Sequence, residues 1–240
     1  PEMIYEKVIE VNERIDAYGQ ILASLNPAEV KKSLKAIYKS GIRSIAIVFM
    51  HGYRYSDHEK KVTALAKKEG FTQVSSSHQV APLIKLIYRG DTTVVDAYLS
   101  PILKRYIASI SASLKPEEKI STTKVSSILH FMQSNGGLAG ADHFKGKDSI
   151  LSGPAGGVVG MVKTGIMAGY SKLIGFDMGG TSTDVSHFNG EYERTFETVI
   201  AGVRIRAPMM NINTVAAGGG SILHFDGSRY RVGPDSAGAR

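Results

Sequence analysis

Apolar side chains along this chain recur at two periods, and the alternation between them predicts most of its elements. Behind Asn26-Pro27, the residues Val30, Leu34, Ile37 and Tyr38 return at helical spacing. Asn26 suits the N-cap, Pro27 the first helical position and Glu29 the first turn, and Gly41 stops the helix. Ile42 to Phe49 is a β-branched run that reads as a buried strand. A second helix is expected from Asp57 to Gly70, and a short strand from Phe71 to Ser75. This helix–strand alternation predicts an α/β fold with a mostly parallel sheet and crossover helices. Residues 1 to 25 show no clear period and read as strand and loop. Val94 through Leu114 is expected to be a long helix in which Pro101 marks a boundary or kink, and Val125 to Met132 a strand ending in Gln133-Ser-Asn-Gly-Gly137.

The pattern changes near Ser152, where glycine becomes dense. A helix is expected over Ala155 to Ala168, then strands over Lys172 to Asp177, Asp184 to Phe188 and Glu191 to Phe196. The Asn189-Gly190 pair between two of these runs is a strong hairpin signal. A length of 240 residues allows one large or two modest domains. The change in texture places a domain boundary between residues 152 and 170.

Composition removes several function classes. With 42% hydrophobic and 21% charged residues the chain is of ordinary globular type. Its net charge of +7 invites a polyanion partner, yet Lys31-Lys32, Lys60-Lys61 and Lys67-Lys68 lie on helix-like stretches, often beside acids, as solvated faces do. No basic stripe interleaved with aromatics points to nucleic acid. The absence of cysteine excludes disulfides, thiolate metal sites and a Cys nucleophile. No apolar run reaches transmembrane length and no signal peptide is evident, so no membrane partner is expected and a cytoplasmic location is the default. The start at Pro1 and the Gly/Pro-rich end at Gly233 to Arg240 lead us to expect an internal piece of a longer protein.

The candidate chemistry sits in Gly175-Phe-Asp-Met-Gly-Gly-Thr-Ser-Thr-Asp-Val185, which joins two strands rather than a strand to a helix. A P-loop requires Lys-Ser/Thr and a following helix, and a dinucleotide turn requires other glycine spacing and a helix; neither condition is met. In a hairpin, Gly179 and Gly180 at positive φ would turn backbone amides toward an anion, and Thr181, Ser182 and Thr183 surround the same concavity. Asp177 and Asp184 flank the turn, so one carboxylate is placed for a Mg2+ carrying phosphates and the other for a water or substrate group. An ordinary glycine-rich turn is the alternative.

Further candidates are less specific. Ser134 and Asn135 follow a strand and could hydrogen-bond a lactam or carboxylate, although a plain tight turn explains them as well. Gly218, Gly219 and Gly220 would let backbone approach a nucleotide closely. Arg89 and Asp96 could form an ion pair or substrate contacts, with Arg89 suited to an anionic group. His51 and the His58-Glu59 pair suggest a metal or base, but a helix start with Asp57 and Glu59 near the positive end of the dipole favours a structural reading.

In order along the chain, Arg89-Gly-Asp-Thr-Thr-Val-Val-Asp-Ala-Tyr-Leu-Ser-Pro101, Gln133-Ser-Asn-Gly-Gly-Leu138, Ser152-Gly-Pro-Ala-Gly-Gly157, the Gly175 to Ser186 string, Ile212-Asn-Thr-Val-Ala-Ala-Gly-Gly-Gly-Ser221 and Val232-Gly-Pro-Asp-Ser-Ala-Gly238 resemble the hydantoinase A and oxoprolinase family. The resemblance covers roughly residues 40 to 240. It implies an actin/hexokinase-like (ribonuclease H-like) ATPase architecture of α/β class, present in part. Residues 1–155 would close a first such domain and 156–240 begin a second. Asp177-x-Gly-Gly-Thr-x-x-Asp184 resembles the second phosphate loop of that superfamily, and an earlier matching hairpin would lie outside this chain. The implied activity is ATP-driven hydrolysis of 5-oxo-L-proline to L-glutamate. Action on another cyclic amide or a ketone, or a nucleotide-gated binding module without such chemistry, are the alternatives. ATP, Mg2+ and K+ are the implied cofactors, and a homodimer the implied assembly of the complete enzyme. Asp184 is expected to orient or deprotonate the nucleophile and Asp177 to serve the metal.

Overall fold

The computed structural model describes residues 3–114 and 129–238, so the part of the expected Val125 to Met132 strand before Leu129 lies outside the described residues. In chain order the elements are strands Arg14–Ile15 (β1) and Ile21–Ala23 (β2), helix Pro27–Lys39 (α1), strand Ser44–Ile47 (β3), helix Asp57–Glu69 (α2), strand Gln73–Ser76 (β4), and helices Ser77–Val80 (α3) and Leu86–Ser113 (α4). There follow strands His130–Met132 (β5) and Leu138–Gly140 (β6), two short 3-10 turns, helix Ser152–Met167 (α5), and strands Lys172–Met178 (β7), Thr183–Asn189 (β8), Arg194–Thr195 (β9), Thr198–Ile200 (β10) and Val203–Ile205 (β11). Strands Met209–Met210 (β12), Ile212–Val215 (β13), Ser221–Phe225 (β14) and Tyr230–Ser236 (β15) complete this mixed α/β chain.

Two compact units share these elements, and each is assembled from separated stretches. The first takes residues 1–131, 140–150 and 196–207, and the second takes residues 132–139, 151–195 and 208–240. This interleaving differs from the single cut at 155 expected from the sequence. The reason is visible in the β10–β11 hairpin, which returns to α4 through an Arg204–Asp91 ion pair at 3.0 Å and through the Arg206 amide donating to Thr92 Oγ1 at 2.9 Å.

In the first unit the helix signals act as read. Asn26 Oδ1 accepts from the amides of Ala28 and Glu29, and Gly70 caps α2 in the left-handed region with φ 104°. Strands β3 and β4 pair in parallel, joined by α2 as crossover, with Ser44 opposite Gln73 and Ile47 opposite Ser76. Period-two alternation gives the pair two faces of different character. Ile45, Ile47 and Val74 join Val30, Leu34, Ile37, Val62, Ala66 and Phe71 of the helical layer in one apolar core. Ser44, Gln73 and Ser75 meet α4 instead, through Ala97 O, Lys104 Nζ and Asp96 Oδ2.

That polar contact explains two misread features of α4. The helix begins at Leu86, earlier than Val94, because its buried face carries Arg89, Thr92, Thr93, Asp96 and Ser100 and so lacks the apolar stripe that marks a helix in sequence. Pro101 sits inside the helix rather than at its boundary. Its ring removes the donor for the Ala97 carbonyl four residues back, and Ser44 Oγ replaces it at 2.5 Å.

The second unit is built on a three-stranded antiparallel sheet of order β13–β8–β7, with α5 against one face. Ala155, Val158 and Val162 of α5 form a core with Phe188 and Met210, against which Leu173 and Ile212 pack. Asn189-Gly190 does turn, with Gly190 at φ 91°, but the expected strand over Glu191 to Phe196 reduces to a single Phe188–Tyr192 bridge. The residues beyond it pair elsewhere, β9 with β12.

Candidate functional site

The β7–β8 hairpin holds the candidate chemistry. Its register places Met178 opposite Thr183, which leaves Gly179 to Ser182 as the turn, closed by the Gly179 amide donating to Ser182 O at 2.9 Å. Neither Gly179 nor Gly180 lies in the left-handed region, so the expectation of positive φ is corrected. Their lack of side chains serves a close backbone approach instead. Gly219 and Gly220 donate to the carbonyls of Gly179 and Gly180 at 2.9 and 2.7 Å, and a Cβ on Gly218 would lie 2.6 Å from Gly179 O.

This contact also corrects the assignment of Gly218, Gly219 and Gly220 to the nucleotide. The amide of Gly218 donates to Ser221 Oγ at 2.8 Å, and the other two amides are bound to the hairpin, so none is available to a phosphate. Thr183 is corrected likewise, since its hydroxyl is buried and donates to Ala217 O at 2.6 Å. The three glycines and Thr183 brace the turn rather than line it. A further brace, Ser236 Oγ donating to Gly180 O at 3.1 Å, came from long-range pairing that carries no local sequence signal.

What the braced turn leaves open is its tip. Among the described residues the amides of Gly180, Thr181 and Ser182 meet no acceptor, and the Thr181 side chain is exposed. Consecutive free amides in a turn form a concavity suited to an anion.

Asp177 and Asp184 are directly opposed across β7 and β8, so both carboxylates leave the same face of the sheet. That face is the one toward α5, and the two residues line a cavity of about 320 Å³ with Pro154, Gly157, Met161 and Ser186. Thr214 Oγ1 donates to Asp184 Oδ1 at 2.6 Å and fixes its orientation. Asp177 has no hydrogen-bond or ion-pair partner among the described residues and is solvent-exposed. Two opposed carboxylates without a protein cation repel one another, and a divalent ion relieves that repulsion. No group of three or more metal-ligating side chains occurs among the described residues; one or two carboxylates with phosphate oxygens and waters are the usual ligands of Mg2+.

The remaining candidates fall outside this constellation. Ser134 is buried, its Oγ accepts the Leu151 amide at 3.2 Å and its carbonyl accepts the Met210 amide at 2.7 Å; its polar groups tie the fold together rather than face a substrate. Asn135 Oδ1 accepts the Gly137 amide at 2.7 Å, in the tight-turn role.

Arg89 is also removed from the substrate candidates. Its Nε donates to Ser77 Oγ, Nη1 to the carbonyls of Leu83 and Ile84, and Nη2 to those of Phe49 and Met50, which occupies the whole donor fork. Burial holds its guanidinium pKa below the ordinary value. Asp96 does not pair with it and instead accepts from Ser75 Oγ at 2.6 Å. Glu59 is fully buried in the same network, accepting from the Phe49 amide, Ser77 Oγ and both the amide and Nδ1 of His78, so it is no dipole partner of α2.

The model of the hydantoinase/oxoprolinase family matches residues 89–240, and that of its N-terminal region matches residues 1–70. The chain belongs to the hydantoinase/oxoprolinase family. Among curated hydantoinase/oxoprolinase relatives, the chain is 48% identical to the 5-oxoprolinase of Saccharomyces cerevisiae over 92% of its own length and 17% of that protein's. It is 44% identical to 5-oxoprolinase 1 of Arabidopsis thaliana over 100% of its length and 20% of the relative's. The chain thus spans about a fifth of such relatives. A solved ATP-dependent caprolactamase from Pseudomonas jessenii superposes with a TM-score of 0.77 at 31% identity, covering 95% of this chain and 33% of that one. A nucleotide-free acetone carboxylase superposes with a TM-score of 0.78 at 26% identity, over 95% and 32%.

Proposed function

We propose that this hydantoinase/oxoprolinase chain contributes one nucleotide-phosphate loop to an ATP-dependent 5-oxoprolinase, within an actin-like ATPase fold. The reading is carried by one observation: a braced turn with free amides at Gly180, Thr181 and Ser182 stands beside the directly opposed, cation-free pair Asp177 and Asp184. The identity to named 5-oxoprolinases supports the substrate.

The residues divide the work as follows. The turn amides and the Thr181 hydroxyl hold phosphate oxygens, with positions fixed in advance by the Gly218 to Gly220 brace. Asp177 takes the metal directly or through water, and Asp184, oriented by Thr214, aligns the nucleophile or accepts its proton. Bound ATP supplies the phosphoryl group that converts an unstrained lactam carbonyl into a competent electrophile. The cavity between α5 and the sheet gives the two carboxylates a common recess on one side.

In the complete enzyme, 5-oxoproline should stimulate ADP release, and Asp177→Asn should abolish that stimulation and shift the Mg2+ requirement. An unchanged Mg2+ dependence in Asp177→Asn would remove the metal role. The caprolactamase and acetone carboxylase neighbours support a second reading, ATP-driven activation of another cyclic amide or a ketone at the same loop. Comparing 5-oxoproline, caprolactam and acetone as stimulants separates the two.

A further inference from the structure

Ser186 lies on β8 two residues beyond Asp184, and period-two alternation brings both side chains to the sheet face toward α5. Their neighbours on that face differ. Asp184 stands between Asp177 on β7 and Thr214 on β13, and Thr214 supplies it with a donor. Ser186 stands between Gly175 on β7 and Ile212 on β13, neither of which has a polar side chain. Its hydroxyl accordingly has no hydrogen-bond partner among the described residues, although the residue is only 8% exposed.

The position of that hydroxyl is fixed by the residues around it. A Cβ on Gly175 would collide with Ser186 Oγ and would lie 2.7 Å from Met161 Sδ of α5. Oγ therefore stands over Gly175 in the gap between the sheet and α5, which is the recess that Gly175, Met161 and Ser186 line together with Asp177 and Asp184. The unpartnered side-chain atoms that are sealed from solvent are His51 Nδ1, His78 Nε2 and Arg206 Nη1, and Ser186 Oγ is not one of them. It opens into the recess. Glycine inside a strand marks a close approach by a ligand or by other atoms, and here the bare Cα of Gly175 leaves the space that the hydroxyl occupies.

A hydroxyl this deeply buried is costly to leave unmet, so a ligand that enters the recess and satisfies it binds more tightly for doing so. Distance decides what that ligand is. Two residues of strand put Ser186 about 7 Å from Asp184 along β8, and Mg2+ binds oxygen at about 2.1 Å, so an ion on the carboxylates does not touch the hydroxyl. Because Mg2+ keeps several of its waters, one of them spans the interval. We propose that Ser186 is a positioning residue for a hydrated divalent cation on Asp177, its Oγ accepting a hydrogen bond from a water of the cation's shell. The inference rests on the metal role given to Asp177 above. It adds a neutral third contact to the two carboxylates, of the outer kind that orients a metal site.

The test is Mn2+ binding to the complete enzyme, read by electron paramagnetic resonance as the component that Asp177→Asn removes. Ser186→Ala deletes one oxygen that no described residue binds, so the melting temperature is expected to stay at or above that of the parent. The Asp177-dependent Mn2+ affinity is expected to fall about tenfold, as on loss of an outer contact to a metal site. Unchanged Mn2+ affinity in Ser186→Ala overturns the proposal and leaves the metal role of Asp177 standing. A clear fall in melting temperature overturns it too, because the hydroxyl would then hold the fold. Were Asp177→Asn to remove no Mn2+ component, the metal role itself would fail and the role of Ser186 with it.

Discussion

The buried polar network of the first unit and the hairpin turn of the second use the same chemical groups to opposite ends. Around Arg89 and Glu59, a guanidinium, a carboxylate, a hydroxyl, an imidazole nitrogen and six backbone groups pair with one another. At Gly179 to Ser182 the contacts stop short: the outer flanks are tied down by Thr183, Gly219, Gly220 and Ser236, and the tip amides and Asp177 are left open. Saturated polar groups hold a fold, whereas unsaturated ones on a rigid frame are poised for a ligand. Charge and residue type alone do not separate the two, since Arg89 looks as functional in sequence as Asp177 does.

The comparison breaks first at the carboxylates. Asp177→Asn or Asp184→Asn in the complete enzyme should lower kcat by roughly 10³-fold, with the melting temperature unchanged. A comparable fall in stability would make the pair structural after all. Glu59→Gln should do the reverse, costing about 3 kcal/mol of stability because a buried charge network loses its centre, and chemical denaturation of the 240-residue chain reads this directly. Between these extremes lies the brace. Gly218→Ala forces a methyl against the Gly179 carbonyl and should cost about 2 kcal/mol together with weakened nucleotide binding. Were nucleotide affinity untouched, the brace would have no part in positioning the tip.

Smaller effects sharpen the picture. Thr183→Val orphans the Ala217 carbonyl and should cost about 1 kcal/mol, visible as faster amide exchange across residues 216 to 220. Smallest is a pH effect at the β14–β15 turn. There the Arg231 guanidinium, followed by the amides of Arg229 and Ser228, holds the Asp226 carboxyl well below the usual range. A depressed carboxylate contributes stability above its unfolded value of about 4 that is lost as pH falls toward the folded value. Amide protection of Leu223 and Val232 should therefore persist from neutral pH to pH about 4 and decline below it.

Much of this was legible in sequence where the signal is local. Asn26-Pro27 and Gly70 mark the helix ends because capping is decided within a few residues, and the hairpin with its two aspartates could be placed because strand–turn–strand texture excludes the helix-dependent phosphate loops. The failures share a physical cause. The start of α4, the saturation of Arg89, the role of Gly218 to Gly220 and the loss of the Glu191 to Phe196 strand all depend on partners distant along the chain, and periodicity is blind to a buried face made of Thr, Ser, Asp and Arg. Thr214, which orients Asp184, was missed for the same reason.

The bond from Ser236 to Gly180, with that from Ala237 to Gly220, makes the β7–β8 turn a shared joint. A displacement at the tip cannot stay there. It would pull on the loop at Gly218 to Gly220 and, through it, on the end of β15, where Ser236 lies 56 positions from Gly180.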